Sequence, residues 1–324
     1  MSVTDLIQVE IGQEAAFSDG AVATGKLMGV TDATLTVADK VHHVDALGRA
    51  YPAAEVAEVA SSGEGSISMD LSYEDLLYPL DNFFSEFPTP DPATVWSYAP
   101  PTTAISVPNH YCIEFGALDA TATAEYYAAG VLFTELNISG EAGSIWKGEF
   151  PFVCAAVDHR VMQVLNNRVV ELIRMADTTI HFDTWGTAAG TAAASASTLV
   201  SFELHVENGR HLKTFGGSVI PTLWGEMQWK GTLTTVLEYN AAVKTIVDAM
   251  LAPAMVQRAI RINATSAGKY AHIDFYGTRV EGVELFSDRD GNITVSLDWE
   301  GTWEPTVGHW LEIVVDNDFV GPLV

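Results

Sequence analysis

The chain contains one short sequence pattern twice. Residues 65–73, Gly-Ser-Ile-Ser-Met-Asp-Leu-Ser-Tyr, reappear at 231–239 as Gly-Thr-Leu-Thr-Thr-Val-Leu-Glu-Tyr, at an offset of 231 − 65 = 166. Each copy alternates apolar and polar residues and then continues with apolar residues spaced i, i+3, i+4 and i+7. Alternation is typical of a half-buried strand, and the longer spacing is typical of an amphipathic helix. The repeat therefore predicts two similar strand–helix subdomains in one polypeptide.

A second matched stretch lies downstream of the first. Residues 130–143 and 277–291 both indicate a strand that ends in a glycine-containing turn and is followed by a return strand. Their offset is 291 − 143 = 148, which is smaller than the first by 166 − 148 = 18 residues. The first half should therefore carry an extra segment between its helix and this hairpin, and the proline-rich stretch at about 88–108 is the candidate. Its five prolines between 88 and 101 exclude a regular helix or a central strand.

The proline-rich insertion also carries aromatic side chains. Long ordered loops in compact domains are usually functional or disordered. Trp96 and Tyr98 argue that this loop packs against something. Two interpretations stay open: a lid over its own domain, or a loop that contacts a partner, for which Phe87, Trp96 and Tyr98 are the candidate residues.

The chain is strongly acidic, and unevenly so. It has 42 acidic and 16 basic residues, a formal net charge of −26. Residues 1–160 hold 23 acids and 5 bases, residues 161–324 hold 19 and 11, and no base lies between Arg49 and Lys147. Such a surface is unsuited to binding nucleic acid through phosphate neutralisation. It is suited to repelling polyanions, although composition alone favours solubility or a salty habitat as the reason.

The length of 324 residues fits two domains, which we place at 1–160 and 161–324. The pattern is mainly β, with one helix per half at about 73–86 and 239–251. We expect Ser72 to cap the first helix and Pro79 to kink or stop it. Residues 1–20 and 316–324 are predicted to be arms. We expect no membrane span, no signal peptide and, with only two cysteines, no disulfide framework.

No motif in the chain indicates catalysis or a cofactor. Residues 20–27 approach a phosphate-binding loop, but Leu27 stands where Ser or Thr must hold Mg²⁺. Residues 288–292 resemble part of a calcium loop, and a hairpin turn explains them equally well. The adjacent pair His42 and His43 would point to opposite faces of a strand, which prevents joint metal binding. We therefore predict that the protein is not an enzyme and has no catalytic, cofactor-binding or metal-binding residues.

Several stretches together resemble the tail tube proteins of long-tailed bacteriophages. The resemblance covers about residues 10 to 315, and its force comes from the order and spacing of the stretches. Those that carry it are Gly12-Gln13-Glu14, the run 65–77, the run 111–116 followed by Tyr127 and 130–138, and the run 199–209.

The resemblance implies a fold and a structural role. Each tube domain would be a β-sandwich or partial barrel with one flanking α-helix, and domains would join side by side around a channel. Rings would stack into a tube that carries the genome into the host. The first domain would contain the insertion at about 88–108 and the second a C-terminal arm. Since the family ring has six domains, two domains per chain imply a trimeric ring of pseudo-hexameric form.

The resemblance also implies partners and surfaces. The partners would be other copies of the chain and the tail terminator, tape measure and distal tail proteins, in a virion whose proteins are made in the host cytoplasm. DNA would pass through the lumen without specific binding. Within this picture we hypothesise, from the insertion and its aromatic residues, inter-ring contacts at Phe87, Trp96 and Tyr98. From the stretch 50–146, which has no basic residue, we hypothesise lumen-lining acids at Glu64, Asp70, Glu114, Asp119 and Glu135. The alternatives are a carbohydrate-binding or adhesin-like β-module and, more remotely, a hydrolase with an acidic active site.

Overall fold

The protein is mainly β in a computed structural model, which confirms the predicted fold class: among the described residues the strand pairings are antiparallel, and two α-helices flank the sheets. The structure describes residues 7–37, 40–44, 55–60, 62–84, 94–102, 108–117, 125–162, 165–192, 198–251, 256–289 and 291–317. The elements of the first half are β1 (Ile7–Glu14), β2 (Gly25–Lys26), β3 (Val30–Val37), β4 (Lys40–Val44), β5 (Glu55–Ala60), β6 (Gly63–Asp70), α1 (Leu77–Phe83), β7 (Val95–Tyr98), β8 (His110–Ala117), β9 (Glu125–Phe133), β10 (Glu135–Glu141), β11 (Lys147–Cys154) and β12 (Ala156–His159). Those of the second half are β13 (Thr178–Thr184), β14 (Leu199–Glu207), β15 (His211–Lys213), β16 (Leu223–Gly225), β17 (Lys230–Glu238), α2 (Ala241–Leu251), β18 (Gln257–Ser266), β19 (Lys269–Arg289), β20 (Asn292–Gly301) and β21 (Leu311–Asp316).

The sequence repeat corresponds to a repeat in strand pairing. In the first half β3 pairs with β6, β6 with β11, and β11 with β10; in the second half β14 pairs with β17, β17 with β20, and β20 with β19. A second set of strands is duplicated as well: β1–β8–β9–β12 matches β13–β18–β19–β21. Each helix follows the same strand, β6 or β17. The boundary at residue 160 stays a prediction, because the two halves also share a sheet.

One strand pair joins the halves into a single central sheet. β10 pairs with β14 over seven residues, from Glu135 opposite Glu207 to Glu141 opposite Ser201. The central sheet therefore has the order β3–β6–β11–β10–β14–β17–β20–β19. It is not closed into a barrel within one chain.

The core lies on one face of the central sheet. Along β6 and β11 the inward residues are Ile67, Met69, Phe150 and Phe152, which are buried, and their neighbours in sequence are more exposed. These side chains meet those of the second set of strands; the rings of Phe115 and Phe152, for example, lie 6.3 Å apart. The alternation read from the sequence thus separates a core face from a solvent face.

The two helices differ in how far they are covered. Every residue of α1 is buried, whereas α2 buries Val243 and Val247 and exposes most of its other described side chains. The helix α1 begins at Leu77, four residues later than predicted, and Pro79 falls in its first turn. Since the first four backbone N–H groups of a helix have no intrahelical partner, proline is tolerated there, and the helix continues past Pro79 instead of stopping at it. Ser72 Oγ accepts a hydrogen bond from Asp75 N at 3.0 Å and so caps the turn before the helix.

Candidate functional site

The solvent face of the central sheet is polar and strongly acidic. Neighbouring strands place their outward residues opposite one another: Asp70 opposite Lys147, Ser139 opposite Lys147 and Glu203, and Thr234 opposite Asp298. We call this surface the acidic face. Among the side chains that the structure describes, its acidic members are Asp32, Glu64, Asp70, Glu135, Glu141, Glu149, Glu203, Glu207, Glu238, Asp298 and Glu300.

The bases on the acidic face are few. Among the side chains described there, only Lys147 and Lys230 are basic, so the formal charge is −11 + 2 = −9. Lys147 is opposite Asp70, and Lys230 is opposite Glu207. Acids therefore outnumber bases by eleven to two among the described side chains of this face, and the surface presents a negative potential to anything that approaches it.

The central sheet ends in two open edges. On one side β3 pairs with β6, and on the other the C-terminal half of β19 pairs with β20. In the part of the chain that the structure describes, no strand pairs with the outer edge of β3 or with that of β19 beyond Arg279. Exposed strand edges leave backbone N–H and C=O groups available to another strand.

Two hairpins leave the central sheet at the same end. The hairpin β4–β5 connects β3 to β6, and the hairpin β15–β16 connects β14 to β17. The first hairpin leaves the sheet next to the pair Thr36–Glu64, and the second leaves it next to the pair Glu207–Lys230. The pairing of β10 with β14 places these two pairs at the same end of the sheet. The segment around β15–β16 exposes large apolar side chains, with exposed fractions of 53% for Phe215, 54% for Leu223 and 67% for Met227.

A comparison with protein-family models gives a match to the family described as phage tail tube protein, over residues 7–301. The chain belongs to the phage tail tube protein family. No curated protein matches it in a separate comparison. The recognition made from the sequence is thereby confirmed, and the protein is a structural component of a phage tail.

Three of the predicted lumen-lining acids of this tail tube protein lie together. Glu64 and Asp70 are on β6 and Glu135 is on β10, all on the acidic face. Asp119 lies outside the described residues. Whether the acidic face lines a lumen depends on assembly, so that role stays a prediction.

Glu114 does not belong to the acidic face, and its assignment to a lumen is wrong for the folded chain. It lies on β8, in the other set of strands, and its exposed fraction is 0%. Arg160 Nη1 is 3.2 Å from its Oε1, which also accepts a hydrogen bond from Ala23 N at 3.1 Å. The segment that follows β12 covers this carboxylate, and a local sequence pattern does not predict that cover.

The aromatic residues of the proline-rich insertion are also placed differently from the prediction. Residues 95–98 form β7, which pairs with β21 of the second half, and Trp96 and Tyr98 are only 1% and 2% exposed. They are core residues of their own chain, so they are not exposed for contact with a partner. The strand β7 has one pairing partner among the described strands, consistent with the exclusion of a central strand. Phe87 lies outside the described residues.

A buried arginine ties the second half to the helix of the first. Arg210 donates hydrogen bonds to the carbonyl oxygens of Asn82 and Phe84 at the C-terminal end of α1, and its Nε lies 3.7 Å from Glu226 Oε2. Burial lowers the pKa of Arg210 to about 10, and Glu226 opposes that shift. Trp229 packs on Phe83 with a ring separation of 5.2 Å. This contact explains why α1 is covered on all sides, and the sequence analysis missed it.

A second buried polar group lies inside α1 itself. Asp81 accepts hydrogen bonds from Tyr111 Oη at 2.5 Å and from Asn109 Nδ2 at 2.8 Å. Burial raises the pKa of Asp81 to about 7, although these hydrogen bonds lower it. The group is enclosed in the core and fixes how α1 sits against β8.

The described residues offer neither a metal site nor a membrane-spanning helix. Among those residues, no group of three or more His, Cys, Asp or Glu side chains is arranged to hold a metal ion. Within the same ranges, no helix is both long and apolar enough to cross a membrane. Cys112 and Cys154 are free thiols in the core, and burial raises the pKa of each to about 12.

Proposed function

We propose that three chains form a closed ring and that such rings stack into the tail tube through which the genome passes. The ring would contain six tube domains, at about 1–160 and 161–324 of each chain. The observation that carries this proposal is the β10–β14 junction. It joins two topologically equivalent half-sheets in one chain and leaves the equivalent edges, β19 and β3, open at the ends.

The acidic face is the proposed wall of the channel. Joining three central sheets edge to edge with this face inward gives a wall with 3 × −9 = −27 formal charges per ring. Like charges repel DNA phosphates, and at physiological salt the screening length is about 8 Å. The repulsion therefore acts close to the wall, where it keeps DNA from adhering while it slides.

The hairpins are the proposed contacts between rings. Because β4–β5 and β15–β16 leave the sheet at one end, in a ring they would all project from the same side, toward the next ring. The exposed Phe215, Leu223 and Met227 would lose water on stacking, and burying apolar surface drives association. This assignment replaces Trp96 and Tyr98, which are buried.

Negative-stain electron microscopy of the purified protein tests ring formation and stacking separately. The wild-type chain should give rings with a channel and hollow tubes. The variant Phe215→Ser/Leu223→Ser should give rings that fail to stack, whereas Val169→Ser, which changes a 98% exposed valine away from the hairpins, should leave tubes intact. Only monomers of the wild-type chain across a wide range of protein concentration and salt would contradict the proposal.

The remaining partners follow from the family and belong to the same proposal. A tube of defined length has two ends and an interior. We therefore propose that a tail terminator and a distal tail protein contact its ends and that a tape measure protein lies inside it. The protein would be made in the host cytoplasm and assembled there into the virion. The channel would conduct DNA without sequence-specific binding, because an acidic wall offers phosphates no cation.

A further inference from the structure

We infer that the junction between neighbouring chains repeats the β10–β14 junction residue for residue, with the C-terminal half of β19 on one copy pairing antiparallel with β3 of the next copy. The partner is thus a second copy of this chain, and its register is fixed. This inference rests on the proposed ring, and the experiment below separates the failure of one from the failure of the other.

The two edge strands β10 and β19 correspond to each other residue by residue. The sequence repeat equates residue 70 with residue 236, since the offset is 166. The residues opposite these two positions on successive strands can be followed across the sheet to the last strand of each half. The row in the first half is Asp70, Lys147 and Ser139, and the row in the second half is Val236, Ser296 and Glu284. Glu284 therefore occupies in β19 the place that Ser139 occupies in β10.

The strands that receive these edges, β14 within the chain and β3 of the next copy, correspond in the same way. Within the chain, Ser139 lies opposite Glu203 of β14, and Glu203 lies opposite Thr234. The repeat equates residue 234 with Ser68, which lies opposite Asp32. Asp32 therefore occupies in β3 the place that Glu203 occupies in β14.

On antiparallel strands without a bulge, the residue numbers of opposite residues have a constant sum, and this sum defines the register. Inside the chain, opposite residues of β10 and β14 add to 139 + 203 = 342. Between chains, opposite residues should add to 284 + 32 = 316, which sets Glu284 opposite Asp32 and Val283 opposite Ala33. Because the side-chain period of a strand is two, a slip of one residue would turn the core side of β3, with Ala33 and Leu35, toward the channel.

Paired cysteines test this register directly. Opposite residues on antiparallel strands have Cα atoms about 4.5–5.5 Å apart, within the range that a disulfide requires, whereas diagonal neighbours are too far apart. The test variant is Asp32→Cys/Glu284→Cys. Thr34→Cys/Glu284→Cys, whose positions add to 318, is the off-register control. Ser139→Cys/Glu203→Cys, at the equivalent positions inside one chain, is the positive control. The two natural cysteines are buried, so they should contribute little background.

The readout is a non-reducing gel after mild oxidation with diamide. We expect the test variant to give covalent dimers and trimers, several-fold more than the off-register control, and the positive control to close within the chain without forming a ladder. Rings seen by microscopy that give equal or stronger cross-linking in the off-register control would overturn the register and leave the proposed function standing. Absence of any oligomer from the wild-type chain as well would overturn both.

Discussion

Reversing charge on the proposed channel wall should make the wall adhere to DNA. Glu64 and Glu135 are suitable positions because both lie on the acidic face and neither is opposite a lysine. Changing both to lysine alters the charge by +4 per chain and by 3 × 4 = +12 per ring, from −27 to −15. Six additional lysines per ring would then face the passing phosphates. Each phosphate neutralised adds about 0.9 to the slope of log affinity against log salt.

The assay is the rate of DNA ejection from purified virions, followed with a DNA-binding dye after receptor addition. We expect Glu64→Lys/Glu135→Lys virions to eject more slowly than wild type at about 10 mM salt, where the screening length is about 30 Å, and to recover as salt approaches 1 M, where it is about 3 Å. The double variant Glu64→Gln/Glu135→Gln, which loses charge without gaining cations, should be affected less.

A matched control separates wall charge from total charge. Asp158→Lys/Asp248→Lys makes the same change of +4 per chain, but on β12 and α2, away from the acidic face. It should eject at the wild-type rate. Equal ejection by the Glu64/Glu135 lysine variant and wild type at low salt, with intact tubes by microscopy, would refute the assignment of the acidic face to the channel.

Three further predictions concern stability and assembly. Because burial raises the pKa of Asp81 from 3.8 to about 7, the folded state holds this proton more tightly than the unfolded chain, so the free energy of unfolding should fall by about 4 kcal/mol as pH rises from about 4 to above 7. Asp81→Asn should remove that fall in urea titrations, and parallel pH slopes for the two proteins would contradict the reasoning. Arg210→Met should lower the free energy of unfolding by about 3–5 kcal/mol because it removes the positive charge beside the buried carboxylate of Glu226, and Arg210→Met/Glu226→Gln should lose less in the same titrations; equal losses would argue against the pair. Asp32→Lys should lower the protein concentration needed for ring formation, measured by analytical ultracentrifugation, because opposite charges on facing strands gain about 0.2–1 kcal/mol per junction, and adding Glu284→Lys should reverse the gain if the two residues face each other.

The sequence was informative where the signal is local and periodic. The alternation through residues 65–71 separates Ile67 and Met69 from Ser68 and Asp70, so the faces of β6 follow from the pattern alone. The same alternation, found again at an offset of 166, predicted the duplicated topology. Glu64 and Asp70 lie on the solvent face of that strand.

The sequence was uninformative where the environment of a residue is formed by residues far away in the sequence. Glu114 alternates with apolar neighbours as a surface acid would, but Arg160 and the segment after β12 cover it. Trp96 and Tyr98 stand among prolines, and their partner strand lies about two hundred residues away, with Tyr98 opposite Ile313. Arg210 follows a turn signal, and its acceptor on α1 is 128 residues distant. No local pattern encodes such contacts.

The β10–β14 junction has a consequence for how rings would begin to form. Bringing separate molecules together costs an estimated 4–15 kcal/mol or more in lost translational and rotational freedom for each association. The proposed ring has six junctions between neighbouring domains. Three of them are formed before assembly, because each of the three folded chains already contains one. Ring nucleation would then be a three-body event instead of a six-body one, and its rate would fall far less steeply on dilution. A phage that must polymerise its tail from a limited pool of subunits would gain speed at the start of each tube from a fused pair of domains.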